Sequence, residues 1–237
     1  MFYAIQKTRT ETKMERVEFL TEDSVAIVGT WNHVDVPNAW AVLLLHMMPA
    51  DRKSWEDFSA LLTRKGMHTL AIDLRGHGES YGGPQGYRNF SDKELQKSIF
   101  DVETAVAFLK SKNVEEVLFA GASIGASLAL WYLAEHKETK AGILLSPGFD
   151  YRGIRTKPLV ERLNPGQAVL YVGDTLDKFS SGESCADVAE ELWRLTPTGV
   201  DKEKIILTGA GHGTTMLERE AGLSDRLQNW LNKESGV

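Results

Sequence analysis

Short, continuous apolar runs alternate along the chain with stretches in which apolar residues recur every three or four positions. Val17–Leu20 and Val25–Trp31 are β-rich runs separated by Thr21-Glu22-Asp23, which predicts a hairpin. Ala41-Val42-Leu43-Leu44-Leu45 is apolar throughout and is bounded by Pro37-Asn38 and Pro49, as expected of a strand buried on both faces. Trp55, Phe58, Leu61 and Leu62 form one helical stripe, and Gly66 closes it. His68–Ile72 predicts another buried strand, followed by a glycine-rich loop from Gly76 to Gly86. Ser91 or Asp92 can cap one long helix carrying Leu95, Ile99, Val102, Val106 and Leu109. Strands are predicted at Val117–Ala120, Ala141–Leu145, Ala168–Val172 and Lys204–Leu207, and helices at Ile124–Glu135, Asp187–Leu195 and Met216–Leu231. This alternation describes an α/β fold: a mostly parallel sheet of about eight strands with helices on both faces. Reacting groups in such sheets gather at the carboxyl ends of the strands.

Composition narrows the class. The chain has 237 residues, 42% of them hydrophobic and 25% charged, with a formal net charge of -6. That length supports one large α/β domain, taken as residues 1–237, with a core that needs no staples. No Lys/Arg-rich run is present, so nucleic acid is not an expected partner. The single cysteine, Cys185, has no disulfide partner, which fits a reducing, cytoplasmic setting. Residues Met1–Arg16 are polar and mixed in charge, unlike a signal peptide, and Met1 and Met14 both stand as possible starts. The longest apolar runs, Ala39–Leu45 and Ala126–Leu133, are too short to span a bilayer.

The chemistry centres on Gly121-Ala122-Ser123-Ile124-Gly125, a G-x-S-x-G pattern between a predicted strand and a predicted helix. A sharp strand-to-helix turn would expose the Ser123 hydroxyl at a helix N-terminus, where the Ile124 amide can face a developing oxyanion. The plainer alternative is a serine that merely caps the helix. A serine needs a base. Of the six histidines, His212 stands out, in the loop Gly209-Ala210-Gly211-His212-Gly213 between the last strand and the last helix. The orienting acid is expected after Ala168–Val172, in Gly173-Asp174-Thr175-Leu176-Asp177. Asp177 is preferred because it lies deeper in the loop; Asp174 is the alternative, and Asp150 a more distant one. A second oxyanion amide is expected from the loop after Leu45, at Met48 or alternatively Met47. Such chemistry uses no metal and no cofactor.

Together these residues resemble the α/β-hydrolase superfamily, in particular the small serine carboxylesterases and the lysophospholipase or monoacylglycerol-lipase-like members. Asp73-Leu74-Arg75-Gly76-His77-Gly78-Glu79-Ser80 is similar to the D-x-R-G-x-G-x-S loop of that family, and Leu45-His46 to its histidine-glycine loop. The resemblance implies oxyanion amides on Met48 and Ile124, and structural roles for His46, Asp73, Arg75 and His77. Two departures stand out. Met47 occupies the position where the family has glycine, and only residues 146–167 fill the space where many members insert a helical cap. No separate cap domain is expected, only a loop and a short helix near Pro158–Leu163. An open site of this kind suits small-molecule esters of small to medium acyl chains, with Met47, Phe149, Tyr151 and Phe179 as candidate pocket residues. The same triad could serve a thioesterase, amidase, acyltransferase or perhydrolase, and the fold is also used by non-catalytic binding proteins. No acidic cluster for a peptide N-terminus is evident. The sequence does not name the oligomeric state.

Overall fold

The structure is a computed structural model that describes residues 12–35 and 40–236. Residues 1–11 of the polar stretch from Met1, and the Pro37-Asn38 strand boundary, lie outside the described residues. Strands β1 (Thr12–Leu20) and β2 (Ala26–Val34) form the predicted hairpin, with Leu20 paired to Ala26. Both are longer than their apolar runs, because backbone pairing continues through the charged residues Lys13, Glu15 and Arg16. Strands β3 (Ala41–Leu45) and β4 (His68–Ile72) match their apolar runs end to end. Helix α1 (Glu56–Arg64) lies between them.

The long helix expected after Ser91 is two: α2 (Asp92–Gln96) and α3 (Ser98–Ser111). Ser91 accepts the Glu94 amide as cap, and around Lys97 the bonds tighten to three-residue spacing, Lys97 to Glu94 and Phe100 to Lys97. Then follow β5 (Val117–Ala122), α4 (Ile124–Glu135) and β6 (Ala141–Leu145). Residues 146–167 hold a small hairpin, β7 (Asp150–Tyr151) and β8 (Ile154–Arg155), and helix α5 (Thr156–Val160). The hairpin was not predicted. The short helix begins two residues before Pro158, which sits in the first turn, where a missing N–H leaves no bond unmade. The chain closes with β9 (Ala168–Asp174), α6 (Cys185–Leu195), β10 (Asp201–Leu207), α7 (Thr215–Arg219) and α8 (Leu223–Ser235). The single helix expected over Met216–Leu231 is interrupted at Gly222, whose φ of 79° starts α8 afresh.

The strands form one eight-stranded sheet in the order β1-β2-β4-β3-β5-β6-β9-β10. β1 is antiparallel to β2, and β2 to β4; the remaining neighbours are parallel. Alternate side chains enter two cores, one on each face of the sheet. Leu43, Leu45 and Phe119 pack with α3, α4, α5 and α6, whereas Val42, Leu44, Leu118 and Ala120 pack with α1 and α8. Helix α4 is buried on nearly every side; each large aliphatic there contributes about 1.5–3 kcal/mol. No helix of the described residues is long and apolar enough to cross a membrane.

Candidate active site

The site is assembled at the carboxyl ends of β3, β5, β6, β9 and β10. The turn from β5 into α4 puts Ser123 at φ 53° and ψ -112°, a conformation that L-residues rarely occupy. What holds it there is close packing of backbone. A Cβ on Gly125 would lie 2.1 Å from the Leu45 carbonyl oxygen, and one on Gly121 would lie 2.1 Å from the carbonyl oxygen of Gly125. The first turn of α4 can therefore press against β3 and β5 only if both positions are glycine. The Ser123 amide donates to the Leu145 carbonyl at 2.9 Å. Its side chain makes no capping bond to α4, so the hydroxyl is not engaged as a helix cap.

His212 lies in the loop between β10 and α7 and is partly exposed. Its Nδ1 is 2.7 Å from Asp177 Oδ2. With Nδ1–H donating to the carboxylate, Nε2 is the ring atom left to accept a proton. Of the acid candidates, the structure brings Asp177 to the imidazole. Burial pushes the Asp177 carboxyl up, but hydrogen bonds from His212, Cys185 and Ser146 outweigh it and hold the group below the usual carboxylate range. Asp174 is spent elsewhere. Buried at the end of β9, it accepts the amides of Leu176 at 2.7 Å, Ala210 at 2.5 Å and Gly211 at 3.3 Å. It thus buckles the acid loop to the histidine loop. Burial works against its charge too, yet those amides keep its carboxyl low. Asp150 is exposed in the β7–β8 hairpin and accepts the Gly153 amide.

Around the acid stand two residues that the motif reading passed over. Cys185 is fully buried, and its Sγ is 3.8 Å from His212 Nδ1. Burial, reinforced by the Asp177 carboxylate, drives its thiol strongly upward, so it stays protonated and is no nucleophile. Ser146 is also fully buried, at φ 48°. The signal for it was available: it is the polar residue that ends an apolar strand run, the same placement that singled out Ser123 and Asp174. Asp177, Cys185 and His212 also form a group with ligand atoms within 4.8 Å of one another, a spacing that the hydrogen bonds of His212 and Cys185 to Asp177 already account for.

The loop after β3 is set by His46. Its Nε2 accepts the Leu74 amide at 3.0 Å, so the ring proton is on Nδ1, which donates to the Met47 carbonyl at 2.9 Å. Burial, then the neighbouring His77, lower the imidazole to about 3, so it remains neutral. A trans peptide is planar, with its N–H opposite its C=O. Turning the Met47 carbonyl toward His46 therefore turns the Met48 N–H away from it. The Met47 side chain, which replaces the glycine of the resembled family, runs under the histidine loop, its sulfur 3.9 Å from Thr214 Oγ1. Met47 packs with the core on one face of the sheet, whereas Phe149, Tyr151 and Phe179 pack with the core on the other. The four candidate pocket residues are thus not one cluster. The link across them is Tyr151, whose hydroxyl donates to Met48 Sδ at 3.1 Å.

The pattern of a known family, described as serine aminopeptidase, S33, matches residues 37–180, more than half of the chain. The chain belongs to this family. It is an α/β hydrolase, and the matched segment carries Ser123 and Asp177 and stops before His212. Among curated proteins, this hydrolase is 28% identical over 141 residues to polyketide transferase ATR5 of Stachybotrys chlorohalonatus, covering 58% of this chain and 46% of that one. It is 27% identical over 136 residues to AB hydrolase superfamily protein YisY of Bacillus subtilis, covering 53% and 47% respectively. The matches thus span about half the length of these relatives. Among solved structures, the esterase Pf2001 of Pyrococcus furiosus superposes with a TM-score of 0.72 at 21% identity, over 94% of this chain and 93% of that one. That likeness extends the shared fold well beyond the matched segment.

Proposed function

We propose that this hydrolase cleaves carboxylic esters of small to medium acyl chains through an acyl-enzyme on Ser123. The observation that carries the reading is the 2.7 Å bond between His212 Nδ1 and Asp177, with Gly213 of the His212 loop packed on Ala122, the neighbour of the strained, uncapped Ser123. His212 Nε2 takes the Ser123 proton as the hydroxyl oxygen bonds to the ester carbon. The negative charge on the carbonyl oxygen is met by the amides of Ile124 and Met48. The tetrahedral intermediate collapses, and the carbon–oxygen bond to the alcohol breaks as the imidazolium protonates the leaving oxygen. Water, deprotonated by His212, then bonds to the acyl carbon, and the bond to Ser123 breaks as His212 returns the proton to the serine oxygen, freeing the acid. The orientation of the Met47–Met48 peptide favours Met48 over Met47 as donor. The contact of Tyr151 with Met48 supports a reading in which the 146–167 connection lies over the oxyanion side, with Phe149 and Phe179 as acyl-side walls.

Esters are favoured over peptide N-termini because the two aspartates nearest His212 are both engaged, Asp177 by the imidazole and Asp174 by backbone amides. The esterase among the fold neighbours supports the same reading. The family description supports a second one, an aminopeptidase, so both substrates belong in one experiment. Turnover of p-nitrophenyl acetate, butyrate and octanoate is compared with that of alanine p-nitroanilide, with Ser123→Ala as control. The expected outcome is ester turnover, best at the shorter chains, that falls about 10⁴-fold or more in Ser123→Ala. Wild-type turnover retained by Ser123→Ala would remove the nucleophile. Turnover of the anilide alone would replace the ester reading with the aminopeptidase one.

A further inference from the structure

We infer that Ser146, directly after a strand that carries no member of the triad, is a positioning residue that couples the acid to the base. This rests on the triad reading above. Ser146 follows β6 directly, and its neighbour Leu145 accepts the Ser123 amide at 2.9 Å. Its own amide donates to the Val172 carbonyl at 2.8 Å, tying it to β9, the strand that leads to the acid loop. Its hydroxyl oxygen accepts the Gly213 amide at 2.9 Å, next to His212. Its hydroxyl proton points to Asp177 Oδ2 at 3.3 Å, the same oxygen that receives His212 Nδ1–H. The side chain thus holds the acid and the backbone of the base loop, while the carbonyl of the preceding residue holds the backbone of Ser123.

The geometry argues for a role beyond packing. Ser146 is fully buried and adopts φ 48°, where a non-glycine residue is strained. Its hydroxyl has one proton to donate, and the carboxylate receives it. The Gly213 amide occupies an acceptor lone pair, which fixes the rotor so that the proton faces Asp177. The amide, hydroxyl and carboxylate form a relay in which each bond polarises the next. Cys185 also bonds Asp177 but is the weaker donor, so Ser146 sets where Oδ2 sits relative to the imidazole.

Ser146→Gly removes the hydroxyl and relieves the positive φ, so the backbone keeps its path. For p-nitrophenyl butyrate, kcat is expected to fall about tenfold with KM unchanged, the size of one hydrogen bond to a charged group. Without the hydroxyl, Asp177 holds a proton more readily, so the acid limb of the kcat/KM profile moves to higher pH. Because Ser146 acts through Asp177, adding Ser146→Gly to Asp177→Asn is expected to cost almost nothing further. The low-field Nδ1–H proton resonance of His212 in the free enzyme supplies a readout that needs no substrate, and it should shift in Ser146→Gly. An equal fall in kcat on both backgrounds, with an unmoved acid limb and an unmoved resonance, would overturn the inference and leave Ser146 a packing residue. If wild type turned over no ester, the function proposed above would fail, and the resonance alone would still decide the role of Ser146.

Discussion

At Asp177 two opposing influences meet. Burial disfavours its charge, while His212, Cys185 and Ser146 surround it with donors that restore the charge. Asp174, three residues earlier, has a lowered carboxyl for a different reason, since its partners are backbone amides of two loops. The two aspartates should therefore fail differently. Asp177→Asn is expected to lower kcat roughly 10⁴-fold by presenting the wrong partner to Nδ1–H, with little change in stability. Asp174→Ala is expected to lose about 1–3 kcal/mol in urea denaturation, because the buried amides of Ala210 and Gly211 lose their acceptor. Ester turnover and denaturation midpoints, measured on both variants, check the assignment. A large kcat loss confined to Asp174→Ala would reverse it. In the sequence the pair differed only in depth along a loop. The structure separates them by what each carboxylate accepts.

At the scale of elements, the conformation of Ser123 depends on how closely α4 approaches β3. Gly125 faces the Leu45 carbonyl with no room for a methyl group. Gly125→Ala is expected to push the first turn of α4 away from the sheet, costing at least about 2 kcal/mol and moving Ser123 from its strained conformation. Urea denaturation and ester turnover should decline together, and a variant with wild-type stability would contradict this account of the elbow. The edges of β3, β4, α4 and β6 were legible because an apolar run bounded by turn residues has few alternatives. The breaks at Lys97 and Gly222 were not, since the apolar stripe continues past both and only a local tightening or a left-handed residue ends the helix. The β7–β8 hairpin was equally silent: two residues per strand are too few to show alternation.

Across the whole molecule, buried charge is concentrated in the loops that follow β4. Arg75, fully buried, bonds Asp101 on α3, Asp23 in the β1–β2 turn and Glu94 on α2. Arg52 and Asp73 pair nearby, and Glu79 joins Arg52 to Arg16 on β1. These contacts fasten the antiparallel edge to the parallel sheet. Hydrogen bonds from Arg75 are the main cause that holds the Asp23 carboxyl well below the usual range. A depressed carboxylate contributes stability that is fully present above its ordinary value of about 4 and is lost as pH falls through the lower folded value. Stability should therefore drop on acidification below about pH 4, and Asp23→Asn should flatten that drop. Denaturation midpoints across pH test it; identical slopes for wild type and variant would refute the role of Asp23.

The sequence by itself determined the α/β class, the buried strands, the Ser123 elbow and the histidine loop, and it ranked Asp177 above Asp174. These are local matters: an apolar run, a glycine needed beside a backbone, a loop at a strand end. Only the tertiary structure decided which carboxylate meets the imidazole, where Met47 and the three aromatic residues part to opposite faces of the sheet, and that Ser146 and Cys185 close around the acid. Those outcomes depend on side chains brought together from β6, β9, α6 and the loop after β10. Such contacts arise from strand order and register, which no spacing along the chain records.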